Sequence, residues 1–93
     1  MDIRHEEIDR RGAFRLWDEE GVLGSMVYVR SSETTVLVQH TGTEQRARGK
    51  GAGKALFFHL VEWARETGTK VTVQCAFTRK MFQKNPDTQD VLR

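Results

Sequence analysis

The sequence predicts one mixed α/β domain: antiparallel N-terminal strands, then a parallel strand–helix–strand unit and a short C-terminal helix. Up to residue 40, β-branched and apolar residues occur in short runs separated by turns, a pattern typical of strands. From Gly51 to Thr67 the apolar residues change to helical spacing. A length of 93 residues suffices for one domain, 1–93, and is too short for two.

The first part of the chain predicts a meander of strands. Strands are expected at Ile3 to Ile8, Ala13 to Trp17, Val22 to Arg30 and Thr34 to His40. Turns are expected at Arg10-Arg11-Gly12, Asp18 to Gly21 and Ser31-Ser32-Glu33, where small and polar residues cluster. A polar loop is expected from Thr41 to Lys50.

The second part predicts a helix followed by a further strand and a shorter helix. Ala52, Leu56, Leu60 and Trp63 fall on one helical face, and Gly68 is a typical residue after a helix C-terminus. A strand is expected at Lys70 to Cys75 and a helix at Phe77 to Lys84, ended by Asn85-Pro86. A strand–helix–strand unit normally forms a right-handed parallel crossover.

Composition excludes several classes of protein. One cysteine cannot form an internal disulfide, and there is no apolar run long enough for a membrane span. The charged N-terminus is not a signal peptide, so we expect a cytoplasmic protein. Three histidines and one cysteine lack the spacing of metal ligands, so no metal is expected.

Charge is unevenly distributed along the chain. Residues 1–33 carry five basic and eight acidic side chains, whereas residues 34–93 carry ten and five. The second part is therefore expected to contact an anionic partner.

The most informative segment is Arg46-Ala47-Arg48-Gly49-Lys50-Gly51, which lies between a predicted strand and the start of the long helix. Glycines permit close backbone approach, and the unpaired amides of a helix start favour an anion such as a diphosphate. An ATP-type loop is excluded, because Arg48 replaces its first glycine and Ala55 its Ser or Thr. A dinucleotide fingerprint is excluded, because about ten residues separate the loop from the strand. The segment matches Gln/Arg-x-x-Gly-x-Gly/Ala, although a flexible basic loop is the alternative.

From about Phe14 to Leu92, the chain resembles the GNAT superfamily of acyl-CoA-dependent N-acetyltransferases, in particular its small single-domain members. The resemblance rests on motifs in a shared order: Leu16-Trp17-Asp18, Val38-Gln39-His40-Thr41, Gly49-Lys50-Gly51, Trp63-Ala64-Arg65 before Gly68, Cys75 with Phe77, and Asn85-Pro86. It departs at Gly42, where these relatives usually carry an acidic residue, and in lacking prolines before the glycine loop and near Cys75. Many larger relatives use a tyrosine as general acid after the last parallel strand, whereas Tyr28 is the only tyrosine here.

The resemblance implies a ligand and a reaction. It implies that the pyrophosphate of acetyl-CoA lies on the loop, that the pantetheine arm runs between strands 34–40 and 70–75, and that an amine accepts the acetyl group. The expected cofactor contacts are His40, Thr41, Arg46, Arg48, Gly49, Lys50, Gly51, Gly53, Lys54 and Cys75. The expected partners are acetyl-CoA and an unidentified amine, without membrane or nucleic acid, for a monomer or weak homodimer.

Cys75 and His40 are the candidate catalytic residues, since each closes a strand expected to flank the acetyl group. A thiol there protonates the leaving thiolate or accepts the acetyl group, and an imidazole suits a general base; together they resemble a Cys–His couple. The alternatives are a packed cysteine and a structural histidine.

Two other functions remain open at this stage. One is a non-catalytic acyl-CoA sensor or degenerate acetyltransferase, which the shortness of the chain favours. The other is a nucleic-acid-binding module, which lacks aromatic residues among its basic ones.

Overall fold

The computed structural model describes residues 1–93, and its five strands form one mixed sheet in the order β1-β2-β3-β4-β5. The strands are β1 Asp2–Ile8, β2 Arg11–Asp18, β3 Gly21–Ser32, β4 Thr35–Thr43 and β5 Lys70–Val73. The helices are α1 Ala52–Thr67 and α2 Ala76–Lys84, with 3-10 turns at Gln45–Ala47 and Pro86–Val91. None of these helices has the length and hydropathy needed to span a bilayer.

The pairing of the strands confirms the predicted mixed sheet. β1 to β4 pair antiparallel in sequence order, and β5 joins β4 in parallel through the α1 crossover. The predicted end of β4 is wrong: the strand continues to Thr43, because residues 40–43 stay paired with β3. The predicted end of β5 is also wrong: it stops at Val73, and the chain then turns into α2.

The helices cover one face of the sheet, here called the helix face. Its core joins alternate residues of β2, β3 and β4 to the apolar side of α1 and to Phe82 of α2. The largest fully buried side chains include Phe14, Met26, Tyr28, Leu56, Phe57 and Leu60. The opposite face, here called the open face, carries the intervening residues, such as Val27 and Val29, which line a surface recess.

β4 and β5 separate partway along their length. Their pairing ends at Val38 and Val73, and the N–H groups of Gln74 and Cys75 both donate to the Val38 carbonyl, at 2.9 and 3.2 Å. β4 then bulges: Val38 lies opposite Tyr28 and His40 opposite Val27, so Gln39 is an extra residue. A gap in the sheet therefore opens beyond Val38, as the resemblance implied.

Candidate functional site

The N-terminus of α1 presents a row of unpaired amides. Gly51 precedes the helix with φ of 72° and gives it no side-chain cap; Gly49 has φ of 80°, another conformation that glycine tolerates best. The first helical bond runs from the Ala55 N–H to the Gly51 carbonyl, at 2.9 Å. No protein acceptor bonds the N–H groups of Gly49, Gly51, Ala52, Gly53 and Lys54. Together with the helix dipole, these donors favour an anion.

These amides open onto a recess of about 310 Å³ on the helix side of the gap. Its lining contains Thr41, Thr43, Ala47, Arg48, Gly49, Gly51, Ala52, Gly53, Lys54 and Phe77. Six of the ten predicted cofactor contacts are in that lining, whereas His40, Arg46, Lys50 and Cys75 are outside it. The recess thus joins the glycine loop to the part of β4 beyond Val38.

The Arg46 side chain is bound elsewhere. Its Nη1 donates to Asp18 Oδ2 at 2.6 Å and to Glu20 Oε2 at 3.2 Å, and its Nη2 donates to the Val22 carbonyl at 3.3 Å. The Arg46 guanidinium holds the pKa of the Asp18 carboxyl below its ordinary value. Arg46 therefore ties the 3-10 turn before the glycine loop to the β2–β3 turn, rather than pointing its guanidinium into the recess.

Cys75 lies at the start of α2 and is 8% exposed. Its Sγ donates to Thr41 Oγ1 at 3.6 Å, and Thr41 Oγ1 lies 3.3 Å from the buried Thr78 Oγ1. Burial acts to raise the pKa of the thiol. The N–H and hydroxyl groups of Thr78, the Thr41 hydroxyl and the Phe77 N–H donate to the sulfur once it is ionised, and they outweigh burial and lower the pKa. The start of α2 thus favours the thiolate.

His40 lies on the open face, away from the thiol. It lines a different recess with Val27 and Gly42, whereas its neighbour Thr41 contacts Cys75 on the helix side. Successive residues of a strand point to opposite faces, so His40 and Cys75 approach the gap from opposite sides. The structure does not form the predicted Cys–His couple; the partner of Cys75 is Thr41.

Phe77 is a wall of the recess, a role that the sequence did not indicate. A Cβ placed on Gly53 would lie 2.7 Å from the Phe77 ring, so α1 and this ring meet only because residue 53 is glycine. Phe77 is 36% exposed and adds an aromatic ring to a lining that also contains Ala47 and Ala52. The sequence signal for this close approach is a third glycine, Gly53, one residue into the helix.

Comparison with known protein families identifies the family of this chain. The family model described as GCN5-related N-acetyl-transferase matches residues 13–91, so the chain belongs to that family. It is an N-acetyltransferase, an enzyme of the acyltransferase class.

Solved structures show the same fold. A GCN5-like protein from Staphylococcus aureus has a TM-score of 0.72 and 28% identity, covering 97% of this chain and 87% of its own. A ribosomal-protein-alanine N-acetyltransferase from Brucella melitensis has a TM-score of 0.71 and 20% identity, covering 84% and 62%. An aminoglycoside N-acetyltransferase in complex with CoA has a TM-score of 0.62 and 13% identity, covering 89% and 88%. No curated protein matches the sequence.

Proposed function

We propose that residues 1–93 act as one domain that moves the acetyl group of acetyl-CoA to a primary amine. The observation that carries this proposal is the arrangement of unpaired amides at the start of α1, beside a gap between two parallel strands. A fold neighbour solved with CoA supports this choice of ligand. The cytoplasmic location of the protein stays a prediction from the sequence.

The diphosphate of acetyl-CoA fits the glycine loop. Amides from Gly49 to Lys54 supply fixed donors, and Arg48 and Lys54 line the same recess with positive charge. Backbone amides are already oriented, so binding orders few side chains. Lys50, which is exposed next to the recess, adds to the positive field.

The gap in the sheet fits the thioester arm. Beyond Val38, β4 has β3 on one side and no strand partner on the other, which leaves backbone polar groups for a carbonyl oxygen. Acetyl-CoA supplies a thioester carbonyl as electrophile. In the transfer, a C–N bond forms and the C–S bond breaks; the nitrogen loses a proton and the sulfur gains one, giving an amide and a free thiol.

Cys75 and His40 are the proposed catalytic residues, on opposite sides of the gap. The lowered pKa of Cys75 suits a thiol that either gives a proton to the leaving sulfur or accepts the acetyl group. His40 is exposed on the open face, where an incoming amine would lose its proton. The two groups act on different atoms in this proposal and need no mutual contact.

A member of this family that had lost catalysis would still bind acyl-CoA as a sensor, and that is the alternative the transfer assay has to exclude. Incubation with acetyl-CoA and a panel of primary amines, with release of free CoA thiol as the readout, separates the two. The proposal expects amine-dependent thiol release. Tight acetyl-CoA binding without release for any amine would favour the sensor.

A further inference from the structure

We propose that the open face of the sheet carries the acceptor site, and that it takes a primary amine that also bears a carboxylate. This inference rests on the proposed acetyl transfer and adds the substrate class to it. The cross-strand register, two arginines and two neighbouring recesses support it.

The floor of this site is a row of residues across four strands. Glu6 pairs with Ala13, Ala13 with Val27, and Val27 with His40, so all four lie in line on the open face. Ala13 and Val27 are small, and Ala13 is only 5% exposed. The row therefore forms a shallow trough that ends at His40, beside the gap between β4 and β5.

Arginines flank the trough on both sides. Arg11 and Arg15 lie two residues before and after Ala13 on the same face, and both line a recess of about 530 Å³. Neither guanidinium is within salt-bridge distance of a carboxylate, whereas Arg30, Arg46 and Arg65 are all paired. Two unpaired guanidiniums over a small apolar floor are suited to a carboxylate ligand.

The arginine recess adjoins the recess of His40. Val27 lines both, and the second recess, of about 290 Å³, contains His40 and Gly42. Two strand spacings, about 10 Å, separate the backbone of His40 from that of Ala13. An amino acid or short ω-amino acid can place its nitrogen at the gap while an arginine binds its carboxylate.

Between His40 and Glu6 the charged side chains of the trough are Arg11 and Arg15, and they disfavour a polyamine. Glu44 lines the His40 recess, where the reacting ammonium group enters. A second ammonium group extending along the floor from His40 would meet Arg11 and Arg15 before reaching Glu6, which lies on the far strand β1. Like charges in such a recess repel, so the site discriminates against diamines as well as favouring carboxylates.

The test compares glycine, β-alanine and 4-aminobutanoate with the amide of each compound and with 1,4-diaminobutane, at saturating acetyl-CoA. We expect kcat/KM to be about tenfold higher for the best amino acid than for its amide. Arg15→Gln should abolish this preference, and Arg11→Gln should reduce it. Arg10→Gln, which removes the same charge from the β1–β2 turn outside the recess, should keep it.

A binding arm separates this inference from the proposed function. NMR titration of the protein with 4-aminobutanoate, with and without CoA, should shift the amides of Ala13 and Val27 in the unmodified protein and not in Arg15→Gln. Those shifts without any turnover would leave the site standing and count against acetyl transfer. Turnover that favours the diamine or the uncharged amides, or shifts confined to other residues, would overturn the carboxylate site.

Discussion

Cys75 is a free thiol whose surroundings stabilise its anion despite burial. Its Sγ is hydrogen-bonded to Thr41, Thr78 helps to lower its pKa, and α2 begins at the next residue. Because the chain has one cysteine, its ionisation can be followed by the ultraviolet absorbance of the thiolate. We expect the pKa of Cys75 to lie below that of a free cysteine and to rise in Thr41→Val. An unchanged pKa in that variant would remove Thr41 as the partner.

Replacing Cys75 separates catalysis from packing. If the thiol takes part in the transfer, Cys75→Ala should lower kcat about a hundredfold or more and change acetyl-CoA affinity little, as expected for general acid or covalent catalysis. Fixed-time acetyl-transfer assays measure kcat, and calorimetric titration measures the affinity for acetyl-CoA. A variant with full transfer activity would leave Cys75 a packing residue.

Gly51 combines a backbone role with a binding role. Its φ of 72° costs any other residue roughly 1 kcal/mol, so Gly51→Ala should lower the free energy of unfolding by about that amount. Gly51→Glu adds a negative charge where we place the diphosphate and should weaken CoA binding far more than Gly51→Ala does. Denaturant titration of both variants measures the free energy of unfolding, and calorimetry measures CoA affinity. Equal CoA affinities would contradict the placement of the diphosphate beside Gly51.

The link between the β2–β3 turn and the glycine loop is a contact between elements that the local sequence does not reveal. Arg46 is held by Asp18 and Glu20. Arg46 would therefore affect CoA binding by fixing the position of the glycine loop. Arg46→Ala should therefore weaken CoA binding about three- to tenfold with only a modest loss of Tm, since the Arg46–Asp18 ion pair is still partly open to solvent.

A charge swap provides the control for this link. The double variant Asp18→Arg with Arg46→Asp should regain part of the lost CoA affinity, whereas Asp18→Arg alone should not. If Arg46 contacted CoA itself, the swapped protein would bind worse than either single variant.

The edge strand β1 is held to the sheet by side chains that are sensitive to acid. The Tyr28 hydroxyl donates to Glu7 at 2.7 Å, and His5 lies 2.7 Å from the same hydroxyl and stacks on Phe14. Hydrogen bonding from Arg30 is the largest cause that lowers the pKa of Glu7, to about 2. Burial is the largest cause that lowers the pKa of His5.

Both shifts predict that acid weakens the attachment of β1. Each folded-state pKa is below its ordinary value, so the stabilisation is full above that value and is lost as pH falls through the lowered one. The stabilisation that depends on His5 should be lost below pH 6.5, and the stabilisation that depends on Glu7 should be lost between pH 4.5 and about 2. Denaturation midpoints measured from pH 7 to pH 2 test this prediction. In Glu7→Gln the midpoint should depend less on pH between 4.5 and about 2. Stability that rises on acidification would contradict the assignment.

At the scale of the whole molecule, the elements that depend on local pattern were predictable. The α1 helix shows its apolar spacing and its C-terminal Gly68, and the loop before it shows its glycines and charge. The bulge at Gln39 was not predictable, because it depends on how β4 pairs with β3. That single residue decides which face His40 occupies, so the predicted couple with Cys75 was wrong. The role of Arg46 likewise depends on Asp18, 28 residues away.

An NMR titration of the labelled protein with CoA reports directly on whether the start of α1 holds the diphosphate. We expect large shifts in a set of amides at the start of α1, smaller shifts for Thr41 and Phe77, and the loss of all of them in Gly51→Glu. The amides are those of Gly49, Gly51, Ala52, Gly53 and Lys54. Binding that leaves those amides unshifted, or no binding at all, would contradict the claim that the start of α1 holds the diphosphate.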